Sequence, residues 1–182
     1  NPAVFQSLGG LFRAIPVAVE QHRPARPQLA HLIGIAYAAV IAADLGLDVV
    51  LIDRDQEAAD KGKAHAQKVI DEQVAKGRAR ATDRDALLAR IVPTADYAAL
   101  KDCDLVIEAV FEDRKVKAET FAKAQQYLKP DTIFASNTST LPITSLAESF
   151  KEQGKFVGIH FFSPVEKMML VEIILGKNTG DV

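Results

Sequence analysis

Along most of the chain two hydrophobic periodicities take turns. The runs DVVLID (48–53), DLVIEAV (104–110) and DTIFAS (131–136) are short and apolar on both faces, the pattern of strands buried from both sides. Between them lie longer segments whose apolar positions recur every three or four residues. IAYAAVIAADLG (35–46) reads as a small-residue helix closed by Gly46, and further helices are predicted over about 55–77, 83–90 and 114–127. RIVPTAD supplies a short strand, TSLAES a short helix, and KFVGIHFF with MLVEIIL the last two strands. Such alternation is the sequence form of stacked βαβ units. The predicted fold class is therefore α/β, a mostly parallel sheet with helices on both faces.

The first 28 residues break this rhythm. Val4, Phe5, Leu8, Leu11, Phe12 and Ile15 recur at roughly helical spacing, interrupted by Gly9, Gly10 and Pro16. QHRPARPQ (21–28) has the prolines and arginines of an extended, solvated linker. The expected layout is a helix and linker over 1–28, belonging to a preceding domain, and one α/β domain over 29–182. At 182 residues the chain has room for one solid core. It opens at Asn1 without a methionine and closes just after a strand-like run, which reads as a piece of a larger protein.

Composition narrows the partners. A formal net charge of −2 and no long basic block leave no electrostatic footprint for nucleic acid or an anionic membrane. No apolar run approaches the roughly 18 residues that a membrane span needs. The single cysteine, Cys103, has no partner for an internal disulfide. These features point to a soluble protein of a reducing compartment, the cytoplasm.

Several residues carry candidate chemistry, each with a plainer alternative. Asp53 ends the strand DVVLID, where an acid can accept both ribose hydroxyls of an adenine dinucleotide or merely cap the next helix. Arg54 follows it and blurs the preference for an unphosphorylated ribose. The expected companion, a G-x-G-x-x-G turn, is absent: QLAHLIGIAY keeps only Gly34, with no strand of normal length before it. In VIEAVFEDRKVK a strand runs into a turn bearing Glu108, Glu112 and Lys117, either at a ligand crevice or at a solvated helix start. ASNTST (135–140) either caps a helix beginning near Ile143 or presents Ser139 to a ligand oxygen. His160 and Glu172 interrupt two apolar strands. If these lie antiparallel, alternation brings both side chains to one face, as a satisfied core pair or as a general base with its orienting carboxylate. Lys61, Lys63, Lys68, Lys76, Arg78 and Arg80 read as a solvated face or as an attraction for a phosphate-bearing substrate.

Taken together, LIDRD, TADYAAL, DLVIEAVFED, FASNTSTLPITSLA and GIHFFSPVEKMMLVEII closely resemble the NAD-binding domain of L-3-hydroxyacyl-CoA dehydrogenases, from about residue 34 to the end. With its N-terminal extension the chain is similar to the multifunctional fatty-acid oxidation proteins that join an enoyl-CoA hydratase to the dehydrogenase. The resemblance implies a Rossmann-like domain, NAD as cofactor and an acyl-CoA substrate oxidised in fatty-acid β-oxidation. It implies His160 as the base for the 3-hydroxyl, Glu172 as its orienting carboxylate, and Ser139 on the substrate oxygen beside the cofactor. Asp53 then holds the adenosine ribose, while Val110, Phe111, Glu112 and Lys117 line the NAD site with Gly34. Ser163 stands where many relatives carry an asparagine and bonds the carboxamide. A position near Ala66 corresponds to a CoA-contacting serine but lacks the hydroxyl. The family's C-terminal helical domain lies beyond Val182, so the fragment alone is expected to be nearly inactive, and the full-length protein to be a homo-oligomer or multienzyme complex. Two alternatives remain open: a monofunctional 3-hydroxybutyryl-CoA dehydrogenase, and a non-catalytic Rossmann scaffold that has lost its glycine loop.

Overall fold

The computed structural model describes residues 17–19, 38–40, 42–162 and 170–180, and the strands among them form one seven-stranded sheet. In chain order these are β1 (Val17–Val19), β2 (Val49–Asp53), β3 (Ile91–Thr94), β4 (Leu105–Glu108), β5 (Ile133–Asn137), β6 (Phe156–Phe161) and β7 (Val171–Leu175). Their spatial order is β3-β2-β1-β4-β5-β6-β7, parallel throughout except for the antiparallel pair β6 and β7. Helical residues at 38–40 and 42–44 (α1), then α2 (Gln56–Ala75), α3 (Ala81–Ala89), α4 (Arg114–Ala124) and α5 (Ile143–Ala147), connect them. A short 3₁₀ helix, Tyr97–Asp102, precedes β4. This is the doubly wound α/β arrangement expected from the alternation of periods.

The expected layout needs correction at one point. Val17–Val19 is the central strand of the sheet, parallel to β2 on one side and to β4 on the other. A segment read as the tail of a helix ahead of the domain therefore lies inside the domain expected to begin at 29. Three residues after a proline are too few for an alternation to register against the helical spacing before them. The rest of the helical reading of 4–20 and the linker reading of 21–28 fall outside the described residues.

Two apolar layers hold the helices to the sheet. On one face Ala39, Ala42 and Ala43 of α1 pack with Leu51, Ile107, Ala135 and Val157. On the other, Phe121 of α4 and Ile143 and Leu146 of α5 pack with Ile52, Val106, Phe134 and Phe156. Four phenylalanines interlock in this second layer; Phe121 meets Phe134 edge-on with centroids 5.3 Å apart. α1 ends in a Schellman turn: Gly46, at φ +82°, donates to Ala43 and Leu47 donates back to Ala42, both at 3.0 Å. Pro93 is accommodated because β3 is an edge strand with neighbours on one side only.

Candidate active site

Strand order reverses between β1 and β4, since the chain moves outward from β1 to β2 and β3 and then resumes on the other side. The crevice past the carboxyl ends of these strands is where open α/β sheets take ligands. Asp53 ends β2 there, opposite Val19 of β1, with 3% of its surface exposed. Its Oδ1 accepts the Arg54 N–H at 2.7 Å. The helix cap that might have explained this acid is another residue: Asp55 accepts from Ala58 N–H at 2.8 Å and closes the start of α2. That backbone hydrogen bond holds the Asp55 carboxyl below its ordinary value. The Arg54 guanidinium turns to Asp55, 3.1 Å away.

The antiparallel pairing of β6 and β7 sets His160 directly opposite Glu172. Nδ1 of the imidazole lies 2.9 Å from Glu172 Oε2, and Nε2 lies 3.0 Å from the Ser139 hydroxyl oxygen. The result is a Ser–His–Glu relay crossing from the end of β5 to β7. The Phe162 ring flanks the imidazole at 4.3 Å. Both polar groups were expected to be buried, and here the structure differs: the His160 side chain is 18% exposed and the Glu172 side chain 50%. β7 is the outermost strand, so nothing beyond it among the described residues covers the carboxylate.

The turn after β5 is not a helix cap either. Pro142 occupies the cap position of α5, with no side-chain hydrogen bond, while Ser139 faces His160. Glu112 reaches across to this turn, and Asp113 rather than Glu112 caps α4, accepting from Lys115 and Val116 N–H at 2.9 and 3.1 Å. Val110 is buried and Phe111 projects outward, 55% exposed. Lys117 does not line the crevice surface: its side chain is wholly buried, with the ammonium on Glu108 at 2.9 Å. Glu108, read only as a residue of the turn, is the anchor beneath it, accepting also from Val110 N–H and the Ser136 hydroxyl, both at 2.6 Å. Burial pushes the Glu108 carboxyl up, against the Lys117 and Ser136 donors that pull it down. An acid ending an all-apolar strand, with a lysine nine residues on, was the available signal; Thr138 and Ser136 gave none beyond their place in a polar turn.

Gly34 and Ser163 lie outside the described residues. Ala66 belongs to the core and is fully buried, so that position presents nothing to a ligand. Part of the basic stripe is neutralised: Lys61 pairs with Glu57 at 2.6 Å and Arg80 with Asp83 at 2.8 Å. No helix among the described residues is long and apolar enough to cross a membrane. The groups present fit an adenine dinucleotide: a buried carboxylate ends β2, where a ribose hydroxyl can donate to it, and the hydrogen-bonded set of Ser139, His160 and Glu172 lies at the carboxyl end of β6. The stretch between β1 and residue 38, where a pyrophosphate turn belongs, carries one glycine in the sequence, Gly34.

Comparison with known proteins identifies the family and agrees with the fold. The family model for the 3-hydroxyacyl-CoA dehydrogenase NAD binding domain matches residues 30–182. The crystal structure of (S)-3-hydroxybutyryl-CoA dehydrogenase from Ralstonia eutropha is 34% identical with a TM-score of 0.80, over 93% of this chain and 56% of that one. The 3-hydroxybutyryl-CoA dehydrogenase of Escherichia coli is 32% identical with a TM-score of 0.78, over 91% of this chain and 33% of that one. The dehydrogenase part of multifunctional enzyme 1 from C. elegans is 28% identical with a TM-score of 0.66, over 91% of this chain and 36% of that one. The chain thus spans from a third to just over half of these proteins. By its sequence and its Rossmann sheet, this chain belongs to the NAD-binding domain family of 3-hydroxyacyl-CoA dehydrogenases.

Proposed function

We propose that this chain is the cofactor-binding part of an NAD-dependent enzyme that oxidises L-3-hydroxyacyl-CoA to 3-ketoacyl-CoA, a step of fatty-acid β-oxidation. The observation that carries the reading is the relay of Ser139, His160 and Glu172, spaced at 3.0 and 2.9 Å. His160 Nε2 takes the proton of the 3-hydroxyl. Glu172 accepts a hydrogen bond from Nδ1–H, which keeps the lone pair on Nε2 and stabilises the imidazolium that forms. Ser139 occupies the place of the substrate oxygen at Nε2 and, when substrate enters, bonds that oxygen. NAD supplies the acceptor for the hydride leaving C3, so that C3 and its oxygen become the ketone. Asp53 holds the adenosine ribose, and the turn of Val110 and Phe111 borders the dinucleotide; the family resemblance assigns the pyrophosphate to Gly34 and the carboxamide to Ser163.

The test is His160→Gln in the longest natural polypeptide containing this chain, assayed with acetoacetyl-CoA and NADH. We expect kcat to fall by about 10²–10⁴-fold, the usual contribution of a general base, with NADH binding kept. Wild-type turnover in the variant sinks the reading. Failure of the unaltered protein to bind NADH favours the scaffold alternative.

A second reading has support of its own. The two 3-hydroxybutyryl-CoA dehydrogenases match at 34% and 32% identity, the multifunctional enzyme at 28%. This favours a short-chain enzyme without a hydratase. Comparing kcat/KM for acetoacetyl-CoA and for longer 3-ketoacyl-CoA substrates separates the two.

A further inference from the structure

Beneath the Ser139 turn lies a set of polar groups that are not themselves members of the relay. The Lys117 ammonium donates to both oxygens of Glu108, at 2.9 and 3.1 Å, and to the Asn137 carbonyl at 2.9 Å. It stands 3.7 Å from Glu112 Oε2. One lysine thus ties together the end of β4, the turn after it and the end of β5. Glu112 carries the grip upward through its other oxygen. That Oε1 accepts from the Thr138 hydroxyl at 2.5 Å, from Ser139 and Thr140 N–H at 3.0 Å each, and from the Thr140 hydroxyl at 3.1 Å. Thr138 is buried and in turn accepts from Leu141 N–H at 3.0 Å.

The turn needs such a grip. Ser139 and Thr140 are exposed and carry no apolar surface that could pin them by burial. Without an acceptor their two N–H groups face water, and the turn has several conformers open to it. A serine hydroxyl 3.0 Å from an imidazole nitrogen tolerates little displacement before the hydrogen bond is gone. We propose that Glu112, braced by Lys117 and Thr138, is a positioning residue: by holding the backbone of residues 139 and 140 it keeps the Ser139 hydroxyl on His160 Nε2. That contact and the one to Glu172 together decide which ring nitrogen carries the proton. The role deepens the dehydrogenase reading and rests on it for the kinetics alone. It is a role beside the cofactor contact that the family resemblance implies for Glu112.

Histidine ring ¹⁵N shifts report the proton's place without reference to any substrate. They are measured in the protein, in Ser139→Ala, in Glu112→Gln and in the double variant, with His160→Gln to assign the signal. Expected is that both single changes move the His160 Nε2 shift in the same direction by comparable amounts, and that the double moves it no further. Thr138→Val moves it the same way, and Thr138→Ser restores it; this pair carries the test should Glu112→Gln fail to fold. Additive shifts overturn the proposal. So does a shift that responds to Ser139→Ala alone, or to neither change. In the assay, Glu112→Gln lowers kcat about tenfold, a part of what the base itself supplies, and Thr138→Val lowers it in the same direction. A raised NADH Kd with kcat intact means that Glu112 serves the cofactor and overturns the positioning role. Should the protein show no dehydrogenase activity, the ¹⁵N comparison still decides the positioning, so the two failures are told apart.

Discussion

A single carboxylate oxygen of Glu112 receives four donors from residues 138 to 140, and the ionisation of that carboxyl follows from them. Partial burial works to raise its pKa, but the Thr138 hydroxyl, the Thr140 and Ser139 N–H groups and the Lys117 charge prevail, and it lies below the ordinary glutamate value. A carboxyl depressed in the folded state adds stability that is present above its unfolded value, about 4.3, and lost as pH falls through the folded value. The melting temperatures of wild type and Glu112→Gln should therefore differ by a constant amount from neutral pH down to about 5 and converge below it. A gap that persists at the acid end contradicts this. Cys103 shows the opposite pull: burial, helped by Asp102 and Asp104, pushes its thiol up to about 11, so the one cysteine stays protonated at neutral pH and is no nucleophile. His160 and Glu172 were legible as residues because two polar groups interrupt apolar strands. Glu108 looked like an ordinary turn acid, because nothing local says that a lysine one helix turn into α4 will be folded back over it.

The short helix α5 packs against β6, the strand that carries His160, and its approach depends on one glycine. A Cβ on Gly158 would meet Ile143 Cδ1 and Cγ1 at 2.4 and 2.5 Å, and Ile143 is itself buried in the core. Gly158 shares a face of β6 with His160, so the missing side chain is what lets α5 settle against the strand that carries this histidine. Gly158→Ala should destabilise the fold by roughly 1–3 kcal/mol, the usual cost of overfilling a core. Calorimetric melting checks this, and an unchanged melting temperature rules the contact out. Strands and α-helices of five or more residues were legible because their period repeats often enough to be counted, as in VVLID of β2 and the twenty residues of α2, whereas the 3₁₀ helix Tyr97–Asp102 was not. β1 was not. Its three residues take their strand state from ladders on both sides, a property of β2 and β4 rather than of Val-Ala-Val.

For the whole molecule, the share of relatives covered sets an expectation. The chain spans 56% of the Ralstonia enzyme and 33% of the Escherichia coli one. If the remainder of such proteins supplies substrate-positioning groups, these 182 residues alone should reduce acetoacetyl-CoA at less than about a hundredth of the Ralstonia enzyme's rate, since misplacement by an ångström can cost that much. Comparable rates in a side-by-side assay would show that this domain holds the whole site. From the sequence alone came the α/β class, the family, and the residue types of the relay with Asp53, because period and residue identity are local properties. Only the folded chain decided that β1 is the sheet's centre, that Asp55 takes the cap and leaves Asp53 to the crevice, and that Lys117 lies under the floor instead of in it. Each of those depends on which residues distant in the chain compete for the same hydrogen bond or the same buried space, and that competition exists only once the strands have paired.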